Sequence, residues 1–120
     1  MIELTETGRR LILAALRSAS TQIGLHVLSD DGFSEPKNER YARIDAGPES
    51  WVSTDTKIAG PTVEFMFSAP VGMVSGWFVA DSSGEPLFVD RFKRPYDFSQ
   101  FGGRLRVLPA FEITPVQVEE

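Results

Sequence analysis

The chain has no cysteine and only one histidine. The first absence excludes disulfides, zinc–thiolate centres and cysteine nucleophiles. The second means that any Ser-His-Asp machinery would have to use His26, and no Gly-x-Ser-x-Gly elbow accompanies it. His26 has no cysteine and no carboxylate at helical spacing beside it, so it reads as a structural histidine rather than a metal ligand. No phosphate-binding loop occurs, neither Gly-x-x-x-x-Gly-Lys-Ser/Thr nor Gly-x-Gly-x-x-Gly. No apolar run approaches the roughly 20 residues that span a bilayer. The opening Met1-Ile2-Glu3-Leu4 lacks the basic start of a signal peptide, so a product that is cytoplasmic when made is expected.

Positive charge is also scarce. Twelve Lys and Arg stand against 17 Asp and Glu, for a net charge of −5. The basic residues are scattered, which argues against a nucleic-acid surface. The one small grouping, Arg91, Lys93 and Arg94, is interrupted by Phe92 and reads as a solvated strand end. Asp30, Asp31 and Gly32 hint at calcium, but the ligand spacing of a calcium loop is missing. No spacing singles out a carboxylate pair for glycosidase chemistry. The residues therefore point to no enzyme, no metal and no cofactor.

What is present is a core. At 120 residues, 42% hydrophobic and 24% charged, the chain suits one folded domain over residues 1–120 and disfavours disorder. Nine phenylalanines weight that core toward flat side chains that suit packed sheets. Residues 4–19 form the one convincing helix, capped by Thr5 or Thr7 with Glu6 near its positive end. Leu4, Leu11, Ala15 and Ile12 fall near one stripe, extended by Leu13 and Leu16, with Arg9, Arg10 and Arg17 off it. The expectation is that this stripe covers a sheet, the rival being a partner chain.

Ile23, Leu25 and Val27 alternate in a strand over 21–28, followed by a polar loop from Ser29 to Glu39. Phe33 in that loop reads equally as a local anchor or as a residue seated in a partner. Arg40–Asp45 reads as a short strand, and Trp51–Ile58 as one or two weak edge strands. Val63, Phe65 and Phe67 alternate with Glu64 and Met66. Met73–Ala80 is apolar on both faces, with Met73, Trp77 and Val79 on one and Val74, Phe78 and Ala80 on the other, as in a central covered strand. Asp81-Ser82-Ser83-Gly84 is a hairpin turn into Leu87–Phe92. Pro95–Gly103 reads as a loop whose Tyr96, Phe98 and Phe101 cap the core. Residues 104–108 and 110–114 close the fold, and 116–120 form an acidic tail. Roughly seven or eight short strands without βαβ alternation predict a mainly β, antiparallel, jelly-roll-like sandwich with one N-terminal helix.

The order of segments resembles a family of small bacteriophage virion proteins described as minor tail or tail-fibre-like. The matching features are the helix Leu4–Leu13, the strand Ile23–Leu28, Tyr41-Ala42-Arg43 and Val63-Glu64-Phe65. They continue with Val74–Asp81, Ser83-Gly84-Glu85-Pro86-Leu87-Phe88 and Gly102-Gly103-Arg104-Leu105-Arg106-Val107-Leu108-Pro109. The resemblance implies a non-catalytic sandwich built into a virion in several copies, beside other virion proteins, with trimers a common arrangement. The contact surfaces it suggests are the helix with Arg9, Arg10 and Arg17, the loop with Phe33, and the segment with Tyr96, Phe98 and Phe101. A head-decoration or connector protein is the neighbouring alternative. A carbohydrate- or ligand-binding sandwich is a further one; it would need Trp51, Trp77 or Tyr96 exposed for stacking.

Overall fold

The computed structural model describes residues 4–27, 34–37 and 41–113. The helix α1 (Glu6–Ala19) begins where Thr5 accepts a hydrogen bond from the Gly8 amide at 3.0 Å. It ends at Ser20, whose buried hydroxyl donates to the Leu16 carbonyl at 2.6 Å. Among the described residues, nine strands follow. β1 (Gln22–Val27), β2 (Ile44–Asp45), β6 (Gly72–Ala80) and β7 (Pro86–Phe98) form an antiparallel sheet in the order β2-β1-β6-β7. β3 (Val52–Ser53), β4 (Lys57–Ala59) and β9 (Ala110–Glu112) form a second sheet, and β5 (Val63–Phe67) pairs with β8 (Gly103–Val107) as a third.

The small sheets pack on the large one. Leu13 of α1, Ile23 and Leu25 of β1, Ile58 of β4, Phe65 of β5 and Leu105 of β8 share one hydrophobic cluster with Val74, Trp77 and Val79 of β6. Aromatic rings tie the layers: Phe88 of β7 meets Phe111 of β9 at 5.1 Å, and Phe67 of β5 meets Phe98 of β7 at 5.2 Å. The architecture is thus mainly β and antiparallel with one helix, and among the described residues no barrel closes. β5 shows the alternation expected of a half-covered strand, with Val63, Phe65 and Phe67 buried and Glu64 and Met66 exposed.

β6 is the central strand, paired on both edges and buried on both faces. Its face assignment differs from the sequence reading at one point. Ser75 is an extra residue relative to β1, where His26 pairs with Gly76 but Val27 pairs with Val74. Such a bulge breaks the period of two. Val74 therefore joins Trp77 and Val79 in the main cluster instead of sharing a face with Phe78.

The opposite face of the sheet is shaped by two glycines. A Cβ on Gly24 would lie 2.4 Å from the Phe78 ring, and one on Gly76 would lie 2.0 Å from the Asp90 carbonyl oxygen. Only a bare backbone lets Phe78 and His26 lie flat there. The hairpin between β6 and β7 is held by the Asp81 carboxylate, which accepts from the Ser83 amide and hydroxyl and from the Glu85 amide. Gly84 takes the positive φ of 90°.

Three further boundaries move. Of the expected strand Arg40–Asp45, the described part begins at Tyr41 and only Ile44–Asp45 is strand, because Tyr41 and Arg43 use their side chains to cover the sheet. Pro95–Phe98 belongs to β7 and Gly103 to β8, so the expected loop shrinks to a turn around Ser99–Gly102. Phe33, most of the polar loop and the acidic tail lie outside the described residues.

Candidate functional site

The helix docks by the face that its arginines occupy. Leu13 is fully buried, and Arg9, Leu16 and Arg17 are half-buried on the same side. Arg9 donates to the Asp55 carbonyl at 2.8 Å, and Arg10 donates to the Asp55 carboxylate at 3.1 Å and to Glu6 at 2.7 Å. At about 100° per residue, all four charges of α1 (Glu6, Arg9, Arg10, Arg17) project within about 60° of Leu13. The other half of α1 presents Leu11 (67% exposed) and Ile12 (39%) beside exposed Thr7, Ala15 and Ser18, and Leu4 (44%) precedes the helix. The expected assignment is thereby turned round: Leu13 and Leu16 cover the core, while Leu4, Leu11, Ile12 and Ala15 face away from it. Arg9 and Arg10 are engaged with the β3–β4 turn.

The second surface is the outer edge of β7, which pairs with no other strand among the described residues. Between the pairs Gly76–Arg91 and Val74–Tyr96, the single residue Ser75 opposes four residues, Phe92–Pro95. This wide bulge pushes exposed Lys93, Arg94 and Pro95 out of the ladder, a device that discourages unwanted edge pairing. Tyr96 is half-exposed and meets Phe92 edge-on at 5.0 Å. Phe101 is 76% exposed in the following turn, whereas Phe98 turns inward onto Phe67. The segment thus splits: Phe98 caps the core as expected, and Tyr96 and Phe101 do not.

His26 is the buried polar group at the centre. Its Nε2 lies 3.2 Å from the Asp90 carbonyl oxygen, which can only accept, so Nε2 carries the proton. Nδ1 then accepts from the Ser75 hydroxyl at 2.8 Å. Burial pushes the imidazole below its ordinary pKa, against the opposing pull of the Asp90 carbonyl. A serine donating to a neutral imidazole is the ground state of a nucleophile–base pair. Two shallow hollows among the described residues, of about 190 and 300 Å³, lie along β5 beside Phe65–Ser68. The Ser75–His26 bond fastens the bulge between β1 and β6.

A polar cluster covers the glycine-lined face. Glu35 accepts from the Tyr41 hydroxyl at 2.8 Å and from Arg43 at 2.6 Å. Arg43 also donates to the Gly84 carbonyl and stands 4.9 Å over the Phe78 ring. The Tyr41 hydroxyl receives the Leu25 amide at 2.9 Å, completing the ladder where β2 stops short. Desolvation raises the Tyr41 phenol well above its ordinary pKa, and the bond to Glu35 raises that of Arg43.

No family model, curated protein or solved structure matches the chain. Among the described residues, no three His, Asp or Glu side chains group as metal ligands, and no helix is long and apolar enough to cross a membrane. Trp51 and Trp77 are buried, the former donating its indole N–H to the Ala46 carbonyl at 2.9 Å. Tyr96 is the exposed ring among the three that a stacking site could use.

The sequence pattern contained the outward stripe but not its direction. Asp55, which draws the arginines inward, is 45 residues from Arg10.

Proposed function

We propose that the chain is a non-catalytic structural component of a bacteriophage particle, at the tail or its fibres, present in several copies beside other virion proteins. The observation that carries this reading is the uncharged side of α1 turned away from the core, where Leu11 and Ile12 stand exposed. Exposed apolar surface of this continuity marks a surface that a partner covers. The order of segments, similar to that of small virion proteins, supplies the particle as the setting. The bulged, charged edge of β7 suits a part kept at high local density without strand-to-strand aggregation.

Purified particles of the phage encoding the chain test the proposal. Mass spectrometry is expected to find the protein in a fixed copy number, and labelled antibody is expected at the tail. Absence from the particle overturns the reading, and label on the capsid replaces it with the head-decoration alternative.

A further inference from the structure

We propose that the open edge of β8 takes an extended acidic segment of another protein as an added strand. The surface lies on other elements than α1, and the inference does not rest on the particle reading. β8 pairs with β5 and with no further strand among the described residues. Such an edge offers backbone donors and acceptors to an incoming chain. The edge of β7 is guarded by its wide bulge and Pro95. β8 has no such guard: its five pairs with β5, from Val63–Val107 to Phe67–Gly103, run in unbroken register, and Gly103–Val107 contains no proline.

The side chains of β8 decide what fits. Leu105 and Val107 are buried, and Arg104 and Arg106 alternate with them on the solvent face, their side chains 71% and 69% exposed. Both guanidinium groups share one carboxylate, Glu64, at 3.9 and 3.6 Å. β5 and β8 together carry that one negative charge against two positive ones, so their solvent face stays positive. A strand added beside β8 lies about 4.8 Å away, with its side chains level with these arginines. Carboxylates at alternate positions pair there, and lysines are repelled. The same charge disfavours a second copy edge to edge. Two β8 strands in full overlap set arginine against arginine, and the β7 edge brings exposed Arg91, Lys93 and Arg94.

An anchor lies at the Gly103 end. A hollow of about 300 Å³ is lined there by Met66, Phe67, Ser68, Gly103 and Arg104. Gly102 and Gly103 carry no side chain that could fill it. On an antiparallel segment whose carboxylates face Arg106 and Arg104, the next residue on that face lies beyond Arg104, beside the hollow. A large apolar residue suits this place, with exposed Phe101 in the adjoining turn. Exposed ion pairs contribute little each, so the contact is weak and salt-sensitive.

The peptide acetyl-Val-Glu-Val-Glu-Thr-Phe-amide, titrated into the isotopically labelled full chain and followed by amide chemical shifts, tests the proposal. Saturable binding below millimolar concentration is expected, with the largest shifts at residues 103–108. Lysine in place of both glutamates should weaken it by about tenfold, and so should Arg104→Gln combined with Arg106→Gln. Both arginines are exposed, so the variant should keep the wild-type thermal midpoint. Arg104→Glu combined with Arg106→Glu should reverse the preference and favour the lysine peptide.

N-methylation of the peptide at one alternate set of amides, then at the other, separates strand addition from charge attraction alone. The set that faces β8 should abolish binding, and the other should leave it. No binding at millimolar peptide overturns the proposal. So does binding that the charge changes leave intact, a shift pattern centred away from β8, or equal behaviour of the two N-methylated peptides. Concentration-dependent shifts at residues 103–108 without peptide would make a second copy the occupant and overturn it likewise.

Discussion

At the scale of single residues, the bulge at Ser75 and the histidine it fastens decide how the central strand is used. His26 lies across Gly76, where a Cβ would stand 2.2 Å from Nε2, so the glycine and the imidazole require one another. The groups facing the ring include the Asp90 carbonyl, the Ser75 hydroxyl and the nearby charges of Asp90 and Arg91, and burial outweighs the groups that favour protonation. The folded state therefore holds His26 neutral to lower pH than the unfolded chain, whose histidine titrates near ~6.5. The sign follows from linkage. Stability from this group is fully present above ~6.5 and is lost as the pH falls from there toward the depressed folded value, because the unfolded chain takes up the proton first. Urea midpoints measured between pH ~7 and ~5.5, above the main carboxylate range, should decline for the wild type. His26→Gln keeps a donor for Asp90 and an acceptor for Ser75 without titrating, and its midpoints should stay level across that window. A wild-type profile as level as the variant's would mean that His26 is not held neutral by the fold.

At the scale of elements, the helix separates what a pattern reveals from what it conceals. A threonine cap, at Thr5 or Thr7, a helix ending at Ala19 and its 3.6-residue period were legible in the sequence; the choice of Thr5, which leaves Leu4 outside the helix, was not. The docking direction was not, because α1 has apolar residues around much of its circumference and the arginines' partner belongs to a distant turn. Leu11 and Leu13 are the same residue type two positions apart and nearly opposite in direction. Leu13→Ala should cost about 2–5 kcal/mol, as for other fully buried leucines. Leu11→Ala should change monomer stability by no more than about 0.5 kcal/mol. Denaturant unfolding at low protein concentration measures both, and equal costs would show that the helix docks by the broader stripe after all. β7 carries the same lesson. Its hairpin and alternation from Leu87 to Phe92 were readable, but Pro95 suggested a break where the strand instead bulges and resumes through Phe98. Pro95 is the local mark of the bulge, but a proline fits a bulge and a strand end equally, and only the pairing with β6 shows that the strand resumes.

At the scale of the whole molecule, three sheets of different size share one cluster, and that cluster makes them a single cooperative unit. The sequence showed that Met73–Ala80 had to be covered on both faces. It could not show that β1, some 50 residues earlier, would be the neighbour on one edge, since pairing at such separation is fixed by packing rather than by local propensity. The two tryptophans sit at opposite parts of this arrangement. Trp51 packs beside Gly60 and Pro109, next to the β3-β4-β9 sheet, whereas Trp77 lies in β6 against Phe88. Phe88 also meets Phe111 of β9, so rings form a continuous bridge from the large sheet to the small one. Splitting the sheets would expose Leu13, Ile58, Phe65 and Leu105 together, and no sheet alone retains a covered face. Unfolding is therefore expected to be two-state. Fluorescence of the single-tryptophan variants Trp51→Phe and Trp77→Phe, each compared with its own far-UV circular dichroism, should give coincident optical midpoints within each variant. A fluorescence transition at Trp51 that precedes the loss of strand signal would mean that the β3-β4-β9 sheet opens on its own and that residues 1–120 are not one folding unit.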